Sequence, residues 1–219
     1  NGVPLAYITG RVSFMGIEML AGPEAIIPRR ETEVLGRAAL KALQHLANER
    51  GYARVVDVCT GSGNLALALA YYEPNCWIYG VDIDPPAVRL ARRNAAYLKL
   101  ERRCEFLQGD LFSPFESREF WGQIDLIVCN PPYVASRRVE TMPFEVAGFE
   151  PRRAFDGGQF GMDVQERLIR DARRFLKPGS SLYLEVGLGQ GEILAHVARK
   201  TGAYQHIGYS RDDFGDIRA

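Results

Sequence analysis

The sequence has no surplus of either charge: Lys and Arg together number 27, and so do Asp and Glu. A balanced chain offers no broad field to draw in a polyphosphate, which argues against nucleic acid as a direct substrate and leaves only a local patch open. Histidines number only three (His45, His196, His206), and none has metal-ligand spacing. The four cysteines, Cys59, Cys76, Cys104 and Cys129, form no CxxC pair. Free thiols in a reducing compartment follow from that scatter. No apolar run approaches the ~20 residues of a membrane span. The start "NGVPLAYITG" lacks the basic-then-apolar order of a leader. Together these absences point to a cytoplasmic protein with no metal site and no membrane partner.

What is present is an ordinary globular composition, 47% hydrophobic and 25% charged, in 219 residues. That is enough for one domain with a sizeable core and a small appendage. Short β-rich pieces punctuated by glycine predict a hairpin from Ala6 to Leu20. A helical run follows from Glu31 to Gly51, with Val34, Leu35, Ala38, Ala42, Leu43 and Leu46 at helical spacing. The division expected is 1–30 as hairpin and connector, and 31–219 as the main domain.

From Arg54 onward the rhythm alternates. "RVVDVC" reads as strand, "GNLALALAYYE" as helix, "CWIYGVDID" as strand, and "PPAVRLARRNAAYLKL" as a helix begun by prolines. "RCEFLQGD" and "DLIVCN" read as strands, "MDVQERLIRDARRFLKPG" as helix, "SLYLEV" as strand, "GQGEILAHVARKTG" as helix and "AYQHIGY" as strand. Apolar strands alternating with helices make a parallel sheet covered on both faces, a doubly wound, Rossmann-like α/β fold. Ligands in such sheets bind at the carboxyl ends of the strands.

At those ends the chain concentrates unusual residues. Asp57, Cys59, Thr60, Gly61, Ser62 and Gly63 follow the first core strand, and Asp82 ends the second about 20 residues on, the spacing of a ribose-binding acid. "GSGNLA" also satisfies the dinucleotide pattern G-x-G-x-x-G/A, so this loop alone leaves a nicotinamide cofactor open. Asp57 inside its strand can reach the ammonium of S-adenosylmethionine, and Asp110 after the third strand can accept from an adenine amine. Either acid could equally belong to a turn.

The fourth strand runs into Asn130-Pro131-Pro132-Tyr133. An amide or aryl amine is a poor nucleophile because its lone pair is delocalised. The Asn130 side-chain oxygen and the Pro131 carbonyl can each accept one N–H of a planar NH₂ group and so orient its nitrogen. The two prolines fix φ, and Tyr133 can stack on the flat group. The bland alternative is an Asn-Pro turn that ends a strand.

At these residues the chain resembles the adenosylmethionine-dependent methyltransferases with an NPPY motif. "PLAYITGRVSFMGIEM", "IPRRETE", "FEPRRAFDGGQFGMDVQERLI", "LKPGSSLYLEVGLGQ" and "FGDIRA" resemble the HemK-type enzymes that modify glutamine in translation release factors. The resemblance covers nearly the whole chain. It implies S-adenosylmethionine as cofactor, contacted by Cys59 to Gly63, Asp82, Leu111 and Asn130, with Asn130 to Tyr133 holding the substrate amide. It implies a release factor as partner. Cys59 stands where the family usually has glycine, and Leu111 where an aromatic residue often packs on adenine. The family's N-terminal helical domain has no counterpart before Asn1, nor a final strand after Ala219.

Three smaller expectations complete the reading. The stretch "RRVETMPFEVAGFEPRR" is long enough for a binding loop or lid. Glu145, Glu150 and Arg152 could there contact a protein substrate or simply be solvated. Arg167, Arg170 and Arg174 share one helical face that reads as solvated.

Overall fold

The structure is a computed structural model that describes residues 2–144 and 148–219. Glu145 lies outside the described residues. The elements run α1 (Leu5–Thr9), β1 (Arg11–Phe14), β2 (Ile17–Leu20), α2 (Thr32–Arg50), β3 (Ala53–Val58), α3 (Asn64–Tyr72), β4 (Cys76–Asp82), α4 (Pro85–Tyr97) and β5 (Cys104–Gln108). They continue with β6 (Ile124–Cys129), α5 (Ser136–Val139), α6 (Asp163–Ala172), β7 (Leu176–Leu184) and α7 (Gly191–Lys200).

Strands β3 to β7 form a parallel sheet in the order β5-β4-β3-β6-β7. The chain builds outward from β3 through β4 and β5, then returns to add β6 and β7 on the other side. This is the doubly wound topology expected, with its switch point between β3 and β6. Every residue of β6 is buried, and so is all of β3 except Arg54, as a central parallel strand requires. One core layer joins α2, α3 and α4 to the sheet through Leu35, Leu43, Leu67, Ala91 and Phe106. The other packs Leu168, Ala172 and Phe175 against Val56, Val58 and Ile127. Gly51 ends α2 in the left-handed conformation at φ 75°, and prolines open α4.

Three elements differ from the sequence expectation. Leu5–Thr9 is a short helix, so the hairpin is confined to Arg11–Leu20. Its turn residues Met15 and Gly16 both have positive φ (50° and 80°), the twist that tight hairpins need. The unusual Met15 backbone is pinned from both sides: its N–H donates to Glu33 and its carbonyl accepts from Tyr72. Phe14, Ile17 and Met19 of the hairpin are buried within the first core layer.

The helix expected over 162–179 ends at Ala172. Leu176 already pairs with Ile124 in the sheet, and Pro178 and Gly179 cannot continue a helix. Proline is tolerated because β7 is an edge strand. Finally, residues 203–209 form no strand. Tyr204 instead donates to the carbonyl of Ile169 at 2.7 Å and anchors this segment to α6.

Candidate active site

A cavity of about 290 Å³ opens at the carboxyl ends of β3, β4, β5 and β6. From the strand side its wall is Cys59 and Gly61 after β3, Asp82 and Asp84 at β4, Asp110 and Leu111 after β5, and Asn130 and Pro132 after β6. These residues are far apart in sequence. Parallel strands carry them to one end of the sheet together.

Behind them stand other expected residues. Asp57 is fully buried. Its Oδ2 accepts from the Thr60 hydroxyl at 2.6 Å and the Ala66 N–H at 3.1 Å. Its carboxyl therefore braces the glycine loop from below, and burial pushes its pKa up to about 7. Thr60 and Ser62 are buried as well. Gly63 answers a packing demand: its φ is +82°, and a Cβ there would crowd Ala91, Leu67 and Phe106 at 3.1 Å. Gly61 differs, because a Cβ on it would meet only Ala25, 4.0 Å away.

Asp82 lines the cavity and holds the loop. Its Oδ2 accepts the Gly61 N–H, and its Oδ1 accepts the Asp84 N–H at 3.0 Å. Burial raises its pKa. Cys59 adopts φ 57°, a conformation costing a side-chain-bearing residue roughly 1–2 kcal/mol relative to glycine. Leu111 sits at φ 50° with its side chain buried in the second core layer.

At the NPPY segment, Asn130 Nδ2 donates to the Thr32 hydroxyl oxygen at 3.1 Å. With its nitrogen so engaged, Oδ1 is the end of the amide left for a ligand. Pro131 is buried, and neither it nor Tyr133 is part of the cavity wall. Tyr133 is gripped from behind: Gln190 Nε2 donates to its carbonyl at 3.0 Å. Its phenol is pushed up to about 12 by burial and by the nearby Glu185. The segment "AFDGGQFG" packs against the back of this loop. Val134 exchanges backbone hydrogen bonds with Phe155 and Gly157. A Cβ on Gly157 would stand 2.6 Å from the Pro132 carbonyl, and one on Gly161 would collide with that of Tyr133. Glycine is required at both positions for this contact.

The far wall was not legible beforehand. Glu24, Ala25 and Ile26 of the connector close one side, with Arg153, Asp156 and Arg167 beside them. Arg153 pairs with Asp84 at 2.9 Å, and Arg167 with Asp110 at 2.8 Å. Arg167 thus belongs to the site, whereas Arg174 lies over the Trp121 ring at 4.2 Å and Arg170 is solvated. Glu150 is buried and cannot face a protein substrate. Its carboxylate accepts the Ile27 N–H at 2.9 Å and pairs with Arg29, tying the connector to the segment after NPPY. Arg152 remains exposed. Thr32, Glu185 and Gln190 were missed as site residues although all three lie in segments that carry the family resemblance. The strand-end rule applied to the last core strand singles out Glu185.

Residues 35–145 match the methyltransferase small domain family. A release factor glutamine methyltransferase from Moorella thermoacetica is 38% identical over 205 residues, which is 94% of this chain and 69% of that relative. The protein of the same name from Salmonella typhimurium is 38% identical over 218 residues, 100% of this chain and 74% of its own length. Two solved structures share the fold. The SAM-dependent methyltransferase from Agrobacterium tumefaciens has a TM-score of 0.61 at 16% identity, over 87% of this chain and 57% of that one. The ribosomal protein L11 methylase from Lactobacillus delbrueckii subsp. bulgaricus has a TM-score of 0.58 at 18% identity, over 89% and 79%. Motifs, sheet order and relatives agree: this chain is a methyltransferase and belongs to the release factor glutamine methyltransferase family.

Proposed function

We propose that this protein transfers a methyl group from S-adenosylmethionine to the side-chain amide nitrogen of a glutamine, in the GGQ loop of a peptide chain release factor. The observation that carries the reading is the orientation of Asn130, whose amide oxygen is left for a donor once its nitrogen is bound to Thr32. An acceptor there suits a substrate NH₂ group.

The residues present fit the cofactor. Open space beside Gly61 leaves room for a ribose next to the Asp82 carboxylate, which keeps lone pairs beyond those used by Gly61 and Asp84. Asp110 has one oxygen engaged by Arg167 and one left for an adenine amine. Leu111 and Cys59 supply apolar wall. Asp57, Thr60, Ser62 and Gly63 shape the loop from behind. Bound here, adenosylmethionine supplies an electrophilic methyl on a sulfonium that leaves as a thioether.

The chain's own task is positioning. Asn130 Oδ1 and the Pro131 carbonyl each accept one N–H of the substrate amide, which aims the nitrogen lone pair at the cavity. The Pro131 and Pro132 rings hold that carbonyl in place before substrate arrives. Tyr133 offers the flat amide a face to stack on. Holding two reactants in line is worth far more than any single contact in such a displacement. In this reading residues 1–30 form a hairpin-and-connector unit seated on the methyltransferase domain of 31–219. The test is mass spectrometry of a release factor incubated with the protein and adenosylmethionine. One added methyl on the GGQ glutamine is expected. An unmodified glutamine, with label on added DNA or RNA instead, would overturn the reading.

A further inference from the structure

The residue before a helix is preferentially Ser, Thr, Asp or Asn, whose short side chain caps the first free N–H groups. Helix α7 begins instead after Gln190, and this side chain makes no capping bond. Its amide is engaged elsewhere, at both ends. Nε2 donates to the carbonyl of Tyr133 at 3.0 Å and to that of Gly161 at 3.1 Å. Oε1 accepts from the Gly187 N–H at 2.9 Å and from Gln165 Nε2 at 3.1 Å. One side chain thus joins four segments: the NPPY turn, the loop before α6, α6 itself and the loop after β7.

Three of these partners are backbone groups, and they decide the polarity. A carbonyl only accepts and an N–H only donates. Turned over, the Gln190 amide would set its oxygen against two carbonyls and its NH₂ against an N–H. The packing around it is equally restrictive. A Cβ on Gly161, which has φ +73°, would collide with the Tyr133 carbonyl and stand 3.1 Å from Gln190 Nε2. A Cβ on Gly187 would stand 2.9 Å from Gln190 Oε1 and 3.2 Å from Cδ2 of the Tyr133 ring. The two glycines let two loops close on Tyr133, one at its carbonyl and one at its ring, and Gln190 fastens both.

We propose that Gln190 is a positioning residue for methyl transfer, which fixes the backbone and ring of Tyr133, and through them the clamp of Asn130 to Tyr133, against α6 and the loop after β7. This rests on the glutamine-methylating reading above and adds what holds the face on which the substrate amide stacks. Gln190 is not part of the cavity wall. It acts through Tyr133 and touches neither the cofactor nor the reacting atoms. A clamp displaced by about 1 Å leaves the cofactor bound but loses the aim of the nitrogen.

The experiment compares wild type with Gln190→Glu and Gln190→Met. Glutamate keeps the length and the accepting end of the native side chain but replaces its donors with a second acceptor. Methionine keeps the approximate shape and removes all four bonds. Methyl transfer to a release factor gives kcat and KM, and titration with adenosylhomocysteine gives cofactor affinity and reports folding. Near neutral to alkaline pH both variants are expected to lower kcat about 10-fold or more, the scale of one to two well-placed hydrogen bonds, with cofactor affinity unchanged.

Protonation tests the polarity. A carboxyl held against two carbonyls takes up a proton more readily than one in water, and once protonated it donates to one of them. The kcat deficit of Gln190→Glu relative to wild type should therefore narrow as pH falls from about 8 to about 6, while that of Gln190→Met stays constant. The four groups that face this side chain, two carbonyls, an N–H and an amide, do not titrate in that range. Wild-type kcat in both variants overturns the proposal. So does a Gln190→Glu deficit that is equal at both pH values, or a loss of kcat matched by an equal loss of cofactor affinity, which marks a general loosening of the fold. Should Gln190→Met fail to fold, the pH dependence of Gln190→Glu decides by itself. A wild type that methylates no glutamine overturns the functional reading itself, and this role with it.

Discussion

The carboxylate of Asp82 accepts the backbone N–H of Gly61 at 2.8 Å, tying the end of β4 to the loop after β3. The residue assigned to the ribose therefore also fixes the loop that frames it. Asp82→Ala removes both contributions. Adenosylhomocysteine saturating at 100 times Kd stabilises wild type by about 2.7 kcal/mol. In Asp82→Ala the thermal shift at the same ligand concentration should fall close to zero. A full shift in the variant would detach Asp82 from the cofactor.

Asn130→Ala separates binding from chemistry. The clamp is proposed to act on the nitrogen as it reacts, so the loss should fall mainly in kcat, on the order of 10²-fold. Cofactor affinity should change little. Near-normal turnover would return the NPPY segment to the role of a strand-ending turn.

Gly157→Ala places a Cβ 2.6 Å from the Pro132 carbonyl, a backbone atom that cannot swing aside. A destabilisation of roughly 1–3 kcal/mol is expected, together with a fall in kcat as the loop is pushed toward the cavity. Gly179→Ala is the control. Its φ is +75° but nothing lies within 4 Å, so strain is its sole cost and kcat should hold. Chemical denaturation with parallel kinetics distinguishes a steric push on the loop from a general loss of stability.

The Arg153–Asp84 bridge spans the cavity mouth between α4 and the segment after NPPY, with both side chains partly in water. Arg153→Ala should change stability by less than about 1 kcal/mol. It should speed release of adenosylhomocysteine, more so at low salt, where the bridge is strongest. Stopped-flow release rates equal in the two proteins would show that the bridge does not gate the mouth.

Burial raises Asp57 and Glu185 to about 7 from 3.8 and 4.5. The folded state holds these protons where the unfolded chain releases them, so stability from this source is full below about pH 4 and declines as pH rises to about 7. Asp125 runs the other way. Burial opposes its ionisation, but the Arg54 N–H, Lys177 and Arg50 outweigh it and hold its pKa low. Its contribution is present above about pH 4 and lost on acidification. Stability should therefore peak on the acid side of neutrality, and Glu185→Gln should flatten the fall between pH 5 and 8. Urea midpoints across that range check both signs, and an unchanged fall in the variant would clear Glu185 of any part in it.

Much of this was legible in the chain. Strands β3 to β6 announce themselves because a central parallel strand is apolar on both faces, and "RVVDVC" and "DLIVCN" show no alternation. The glycine loop, Asp82 and Asn130 stand at or just past the carboxyl ends of β3, β4 and β6, where ligands of such sheets bind. Sequence and structure differ where local pattern competes with tertiary contact. "RRFLKPG" continues a helical rhythm, but Leu176 is captured by Ile124. "AYQHIGY" reads as strand, but Tyr204 is held by α6.

By itself, the sequence determined the sheet, its doubly wound order and the residues at the strand ends, because burial periodicity and turn chemistry are local properties. The tertiary structure decided what those residues do. It turned Asp57 inward as a brace, withdrew Glu150 from the surface and brought Arg153 and Arg167 to the cavity. It set Thr32 and Glu185 behind Asn130, from positions 98 and 55 residues away in the chain. The direction in which a side chain donates or accepts depends on its partners in space, and partners from α2, β6 and β7 meet only once the sheet has closed.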